Sequence, residues 1–144
     1  MAPTTGERDA HQERMMLDPV PALVGDVPAA LAWAAEIGRS APKPGHGDTD
    51  GLWRLLADVA AIDVGVARVL EPHLDALAIL EQAGLPLDEV GADEGSAWGV
   101  YAAEQPGTAL LARGTPGGWR LDGEKGWCSL AQDLSHALVT ARLE

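Results

Sequence analysis

Phenylalanine is absent from the 144 residues and tyrosine occurs once, at Tyr101, so five tryptophans are the chief aromatic side chains. A core must therefore be built from Leu, Val, Ile and Ala, with few large anchors. Cysteine is nearly missing too. Cys128 stands alone, which excludes an intrachain disulfide and fits a reducing compartment. Basic residues are scarce, 10 Lys and Arg against 22 Asp and Glu, for a formal net charge of −12. Such an excess opposes binding to nucleic acid or to an anionic membrane, both of which need basic surface. A phosphate-bearing cofactor stays allowed, because it needs only a few local donors. No apolar run reaches the roughly 18 residues of a membrane span. Met1 to Asp18 lacks a basic segment followed by an apolar one, so no secretory leader is expected. The setting implied is soluble and cytoplasmic. No internal repeat is visible, and the length suits one domain.

What is present changes character along the chain. Residues 1–20 are polar and without apolar periodicity, and read as a flexible tail. Asp26 is a candidate helix cap with Pro28 in the first turn, and Leu31, Ala34, Ala35 and Gly38 predict a helix of about ten residues. Ser40 to Asp50 is dense in Pro, Gly and Asp and reads as a loop. Within it, Asp48-Thr49-Asp50-Gly51 resembles the start of a calcium loop. Val59 stands where the twelfth-position Glu is required, so no metal site is expected.

Leu52, Leu55, Leu56 and Val59 then trace one face of an amphipathic helix. Asp63 is a candidate cap for a second, carrying Val66, Val69, Leu70, His73, Leu77 and Leu80. Pro72 predicts a break near Glu71 and a fresh helix start, since an interior proline costs about 3 kcal/mol. Gly84 closes this segment. His73 lies on the apolar stripe with no second ligand at helical spacing, so it reads as a core histidine. After Leu85 to Ser96, short apolar runs at Ala97–Ala103, Ala109–Ala112 and Ser135–Ala141 predict strands, with a turn at Gly114–Gly118. Helices first and strands second give an α+β fold. The expected division is a tail at 1–20, an all-helical unit at 21–95 and a partial β unit at 96–144.

The densest signal is Gly118-Trp119-Arg120-Leu121-Asp122-Gly123-Glu124-Lys125-Gly126-Trp127-Cys128-Ser129. Asp122-Gly123 predicts a two-residue hairpin turn. In that register Trp119, Leu121, Gly126 and Cys128 face a core, whereas Arg120, Lys125, Trp127 and Ser129 share the other face. An indole, a hydroxyl and two cations together suit a flat, anionic ligand.

This segment resembles the middle β-domain signature of the acyl-CoA dehydrogenase family. There a Gly-aromatic-x-Leu-x-Gly-x-Lys hairpin leads into Trp-Ile-Thr, which contacts the flavin of FAD. Trp127-Cys128-Ser129 occupies that place, and Ser135 to Ala141 is similar to the family's following core strand. The resemblance extends more weakly over residues 50–144. It implies an N-terminal helical domain followed by an incomplete antiparallel β-barrel or sheet, with FAD as cofactor. The implied cofactor-binding residues are Trp127, Cys128, Ser129 and, through its backbone, Ala103. The family's strand before the hairpin ends in a Thr-Glu-Pro-x-x-Gly-Ser-Asp type motif that meets flavin and thioester. Ala103-Glu104-Gln105 aligns with its start, but the threonine hydroxyl, the proline and the Gly-Ser-Asp are missing.

The implied reaction is α,β-desaturation of an acyl-CoA thioester with hydride transfer to FAD, coupled to an electron acceptor. The resemblance places the catalytic carboxylate in a C-terminal helical domain. No acid here is assigned that role, so these 144 residues alone are expected to be inactive. A homo-oligomer is implied for the full-length form. An oxidase or monooxygenase on the same scaffold, or an interaction module without cofactor, are the alternatives. Cys128, Ser129, Asp133 and His136 also hold the ingredients of a nucleophilic triad, but no Gly-x-Ser-x-Gly elbow accompanies them. Arg113 to Gly118 is glycine-rich and matches neither a Walker loop nor a dinucleotide fingerprint.

Overall fold

Three aspartates decide where helices begin. Asp26 accepts a hydrogen bond from the Ala29 amide at 3.0 Å, Asp48 from Gly51 at 3.0 Å, and Asp63 from Val66 at 2.9 Å. Each satisfies a donor left over in a first helical turn. The computed structural model describes residues 15–144. Its helices are α1 (Val20–Leu23), α2 (Val27–Gly38), α3 (Thr49–Ile62) and α4 (Val64–Gln82), followed by a 3₁₀ turn at Leu87–Val90. The strands are β1 (Trp98–Tyr101), β2 (Leu110–Thr115), β3 (Gly118–Gly123), β4 (His136–Val139) and β5 (Arg142–Leu143). The fold is α+β, and among the described residues no barrel closes.

Helix α4 is the centre of the molecule, packed against α2, α3 and β1. Its Leu70 and Leu74 are fully buried beside Val59 of α3 and Val20 of α1. The helix does not break at Pro72, contrary to expectation. The apolar stripe continues on both sides of the proline, from Val66 and Leu70 to His73 and Leu80, and all four side chains are buried. Burial of that face outweighs the single missing backbone bond. At the far end the Gly84 amide bonds to Glu81 and the Leu85 amide to Leu80, with Gly84 at φ +67°. This left-handed glycine stop is the one expected.

The tail expected at 1–20 lies outside the described residues as far as position 14. At 15–17 the chain is already helical, and Met16 and Val20 are buried. Trp33 fastens this stretch by donating its indole N–H to the Met16 carbonyl at 3.2 Å.

The hairpin is corrected. Its turn is Pro116-Gly117, with Thr115 paired to Gly118, and not Asp122-Gly123. Asp122 and Gly123 end strand β3, opposite Leu111 and Leu110. Gly123 has φ +117° and sits so close to the Ala109 carbonyl that any side chain would collide with it. Its freedom serves a close approach of backbones instead of a reversal. Lys125 to Ser129, expected as a strand, is irregular. The anticipated core face fails with it, since Trp119 is 67% exposed and Leu121 55%. Pairing is mixed and not wholly antiparallel. Strand β2 is antiparallel to β3 but parallel to β5, and β1 pairs in parallel with β4.

Candidate functional site

The parallel pairing of β1 with β4 forces the chain from Tyr101 to Ser135 to leave the sheet and return beside it. That excursion carries Ala103, Trp127, Cys128 and Ser129. Two of its parts, 101–105 and 125–129, are brought side by side by three ties. Tyr101 donates its hydroxyl to the Ser129 carbonyl at 2.8 Å. Lys125 donates to the Ala102 carbonyl at 3.5 Å and to the Thr140 carbonyl and hydroxyl at 3.2 and 2.7 Å. Gly126 lies directly against the Gln105 side chain, in space that a side chain of its own would need.

The 125–129 segment is held in an uncommon backbone shape. Trp127 has φ +57°, and Leu130 φ +59°. Left-handed residues other than glycine cost on the order of 1–3 kcal/mol, and they persist where surrounding contacts over-determine them. Here the ties to Tyr101, Ala102 and Thr140 supply those contacts. The result leaves the Trp127 indole 63% exposed. Trp127 and Ser129 border one narrow cleft, about 50 Å³, with Trp98, Tyr101 and Pro72 on its other walls. Behind it Trp98 stacks on His136, ring centres 4.8 Å apart.

Cys128 points elsewhere. Its thiol donates to the Lys125 carbonyl at 3.3 Å and is half-buried. Ala103 is exposed just past the end of β1. Next to it, Glu104 to Ala109 and Arg142 border an open hollow of about 520 Å³. Arg142 clamps Glu104 and holds its carboxyl below the usual range. Burial, with the nearby Cys128 adding to it, raises the Tyr101 hydroxyl above the ordinary phenol range, so at neutral pH it stays protonated as the donor to Ser129.

Of the residues expected at the site, Trp127 and Ser129 meet at one cleft, Ala103 lies at the adjoining hollow, and Cys128 serves the loop. Tyr101, Lys125 and Thr140 position the others, and of these only Lys125 was marked in the sequence. Lys125 was at least visible as the motif lysine; nothing near Tyr101 or Thr140 signals a tie across 28 or 15 residues. The four triad ingredients make no side-chain hydrogen bond to one another among the described residues. His136 instead stacks on Trp98, its Nδ1 buried without a partner.

An isoalloxazine ring does not fit inside the cleft, which holds little more than a water molecule or two. What the surface offers to such a ring is the exposed Trp127 face, with Ser129 on the same cleft. No hydrogen bond to another described residue occupies that hydroxyl. Lys125, by contrast, is spent on three protein acceptors. Comparison with family models, with curated proteins and with solved structures finds no match for this chain. No helix among the described residues is long and apolar enough to cross a membrane.

Proposed function

We propose that segments 101–105 and 125–129 form one side of a flavin site in an acyl-CoA dehydrogenase-like oxidoreductase. One observation carries the reading: the two stretches that resemble the family's flavin-contacting motifs, more than twenty residues apart, are tied together by Tyr101 and Lys125. The helices-then-strands order supports it as well.

Each residue then has a task. Trp127 offers a flat apolar face for stacking. Ser129 offers a free hydroxyl to an acceptor at the ring edge. The Ala103 backbone borders the hollow in which a thioester would approach. Bound FAD would supply the redox chemistry by accepting a hydride, while the protein supplies position and excludes water. In this reading no carboxylate of the chain is the proton-abstracting base. Acyl-CoA and an electron acceptor are the partners proposed, and a homo-oligomer and a cytoplasmic location belong to the same proposal.

Titration with FAD, followed by quenching of flavin fluorescence, tests the site. Saturable quenching that weakens about tenfold or more in Trp127→Ala is expected, in line with loss of a base-stacking aromatic. Equal quenching by the variant contradicts the assignment. Anaerobic addition of acyl-CoA to the flavin-loaded chain is expected to leave the flavin oxidised; substrate-dependent bleaching would show that a base is present after all. The oxidase or monooxygenase alternative draws on Gln105, which stands where the family has proline. Rapid reaction of photoreduced flavin with oxygen would favour it.

A cofactor-free interaction module is the second reading. It is favoured by an apolar sheet face on which Trp119, Leu121 and Leu143 are all exposed. Absence of any flavin binding, together with self-association or capture of a partner through that face, would select it.

A further inference from the structure

Apart from the Trp127 cleft lies a larger cavity, of about 550 Å³, between α2, α4 and the 84–96 connection. That volume falls in the range of roughly 300–1,000 Å³ typical of small-molecule sites. Its floor is apolar, made by Leu77 and Leu80 of α4 with Leu85 and Leu87 opposite. The resemblance to flavoenzymes plays no part in what this cavity contains.

The polar groups around it divide into satisfied and unsatisfied ones. Glu94 is paired with Arg39 at 3.4 Å, and Glu81 lies 3.3 Å from His46 Nε2. Asp93 accepts from the Gly95 amide at 2.9 Å and the Ser96 hydroxyl at 3.0 Å. Of the three acids only Glu94 is offset by a permanent cation; Asp93 is held by neutral donors and Glu81 by an imidazole. Lys43 has no partner: it makes no ion pair among the described residues. His73 is also incomplete. It is 2% exposed, its Nδ1 accepts from the Trp98 amide at 3.3 Å, and its Nε2 has no partner.

The bond to Trp98 fixes the tautomer, because an accepting Nδ1 leaves the proton on Nε2. Burial first, and the Lys43 charge second, lower the His73 pKa to about 4, so the ring is neutral at pH 7. What remains unsatisfied is thus a cation and an N–H donor. The ammonium wants an acceptor and does not reward a second cation, whereas the N–H is packed out of a ligand's reach.

We propose that this cavity binds a small apolar monocarboxylate, its body against Leu77, Leu80 and Leu87 and its carboxylate on Lys43. A single charge is favoured because only one wall cation is free. An apolar body is favoured because the floor offers it no hydrogen-bonding group. Gly38 lies against the Nε2 edge of His73, where any side chain would press into the ring.

Octanoate is a suitable probe, with octanol and octylamine as controls of equal length. Titration of the full chain followed by NMR should show saturable shifts in the Leu77, Leu80 and Leu87 methyls and in the His73 ring. Octanoate is expected to bind at least tenfold more tightly than either control. Lys43→Gln should weaken octanoate about tenfold and leave octanol unchanged, while Lys43→Arg should restore most of the loss. Lys43 is half-exposed in a loop, so neither substitution threatens folding. Absence of saturation, octylamine binding as tightly as octanoate, or equal octanoate affinity in Lys43→Gln would each overturn the proposal. None of these outcomes depends on whether the chain binds flavin, since Trp127 and Lys43 lie in separate cavities.

Discussion

The helical part and the stranded part of this chain handle their apolar side chains in opposite ways. In α2, α3 and α4 most large aliphatics turn inward, Ile62, Val64 and Ile79 excepted, and Leu70, Val59 and Leu74 are at most 1% exposed. After Ser96 only Ala97, Trp98 and Ala112 are buried among the apolar residues, while Trp119, Trp127, Leu121 and Leu143 stand in solvent. The helices thus satisfy one another, with β1 added as a cover over α4. The strands hold together through backbone pairing and through side-chain ties such as Lys125 to Thr140. Burial is concentrated in the first part and exposed large apolar side chains in the second.

Truncation on the two sides should separate them most sharply. Leu70→Ala opens a cavity under all three long helices and is expected to cost about 2–5 kcal/mol in urea unfolding. Leu121→Ala, on the exposed sheet face, should cost under about 1 kcal/mol. Comparable losses from the two would mean that the sheet face is covered.

Acid should act through the helical part next. The folded His73 has its pKa lowered to about 4 from 6.5, so between those values the unfolded chain binds more protons. The stability contributed by keeping this ring neutral is complete above pH 6.5. It falls as pH drops through 6.5 and levels off near 4, for a loss of up to about 3 kcal/mol. His73→Gln should flatten that slope. An unchanged pH profile in the variant would remove His73 from the account.

A smaller effect than that of His73 belongs to the helix caps. Asp63→Ala leaves the Val66 amide without its acceptor and is expected to cost about 1 kcal/mol in the same assay. Asp63→Asn should recover most of it, whereas a similar loss in both would point to charge rather than capping.

The helical half was the more legible because its information is local. Asp26 and Asp63 cap as their neighbours suggest, Gly84 stops α4, and His73 sits buried on the stripe that marked it. Pro72 misled because the cost of one proline is local, while the packing that overrides it extends along the whole helix. The hairpin misled for a related reason. Two turn signals, Pro116-Gly117 and Asp122-Gly123, lie six residues apart, and only pairing with Leu110 and Leu111 decides between them. Since a strand's faces alternate, the wrong turn also assigned Trp119 and Leu121 to a core that does not exist. Trp127 and Ser129 do border one cleft, but not as alternate residues of a strand, since 125–129 is irregular. The tie from Tyr101 was not legible, because it depends on a chain reversal that no short window contains.

The central claim is that 101–105 and 125–129 act as one flavin surface, and NMR mapping of FAD binding tests it most directly. The Trp127 indole signal and the amides of both segments should shift together, with Trp33 and Trp53 in the helices unmoved. Shifts confined to the helices, or to one segment without the other, would contradict it.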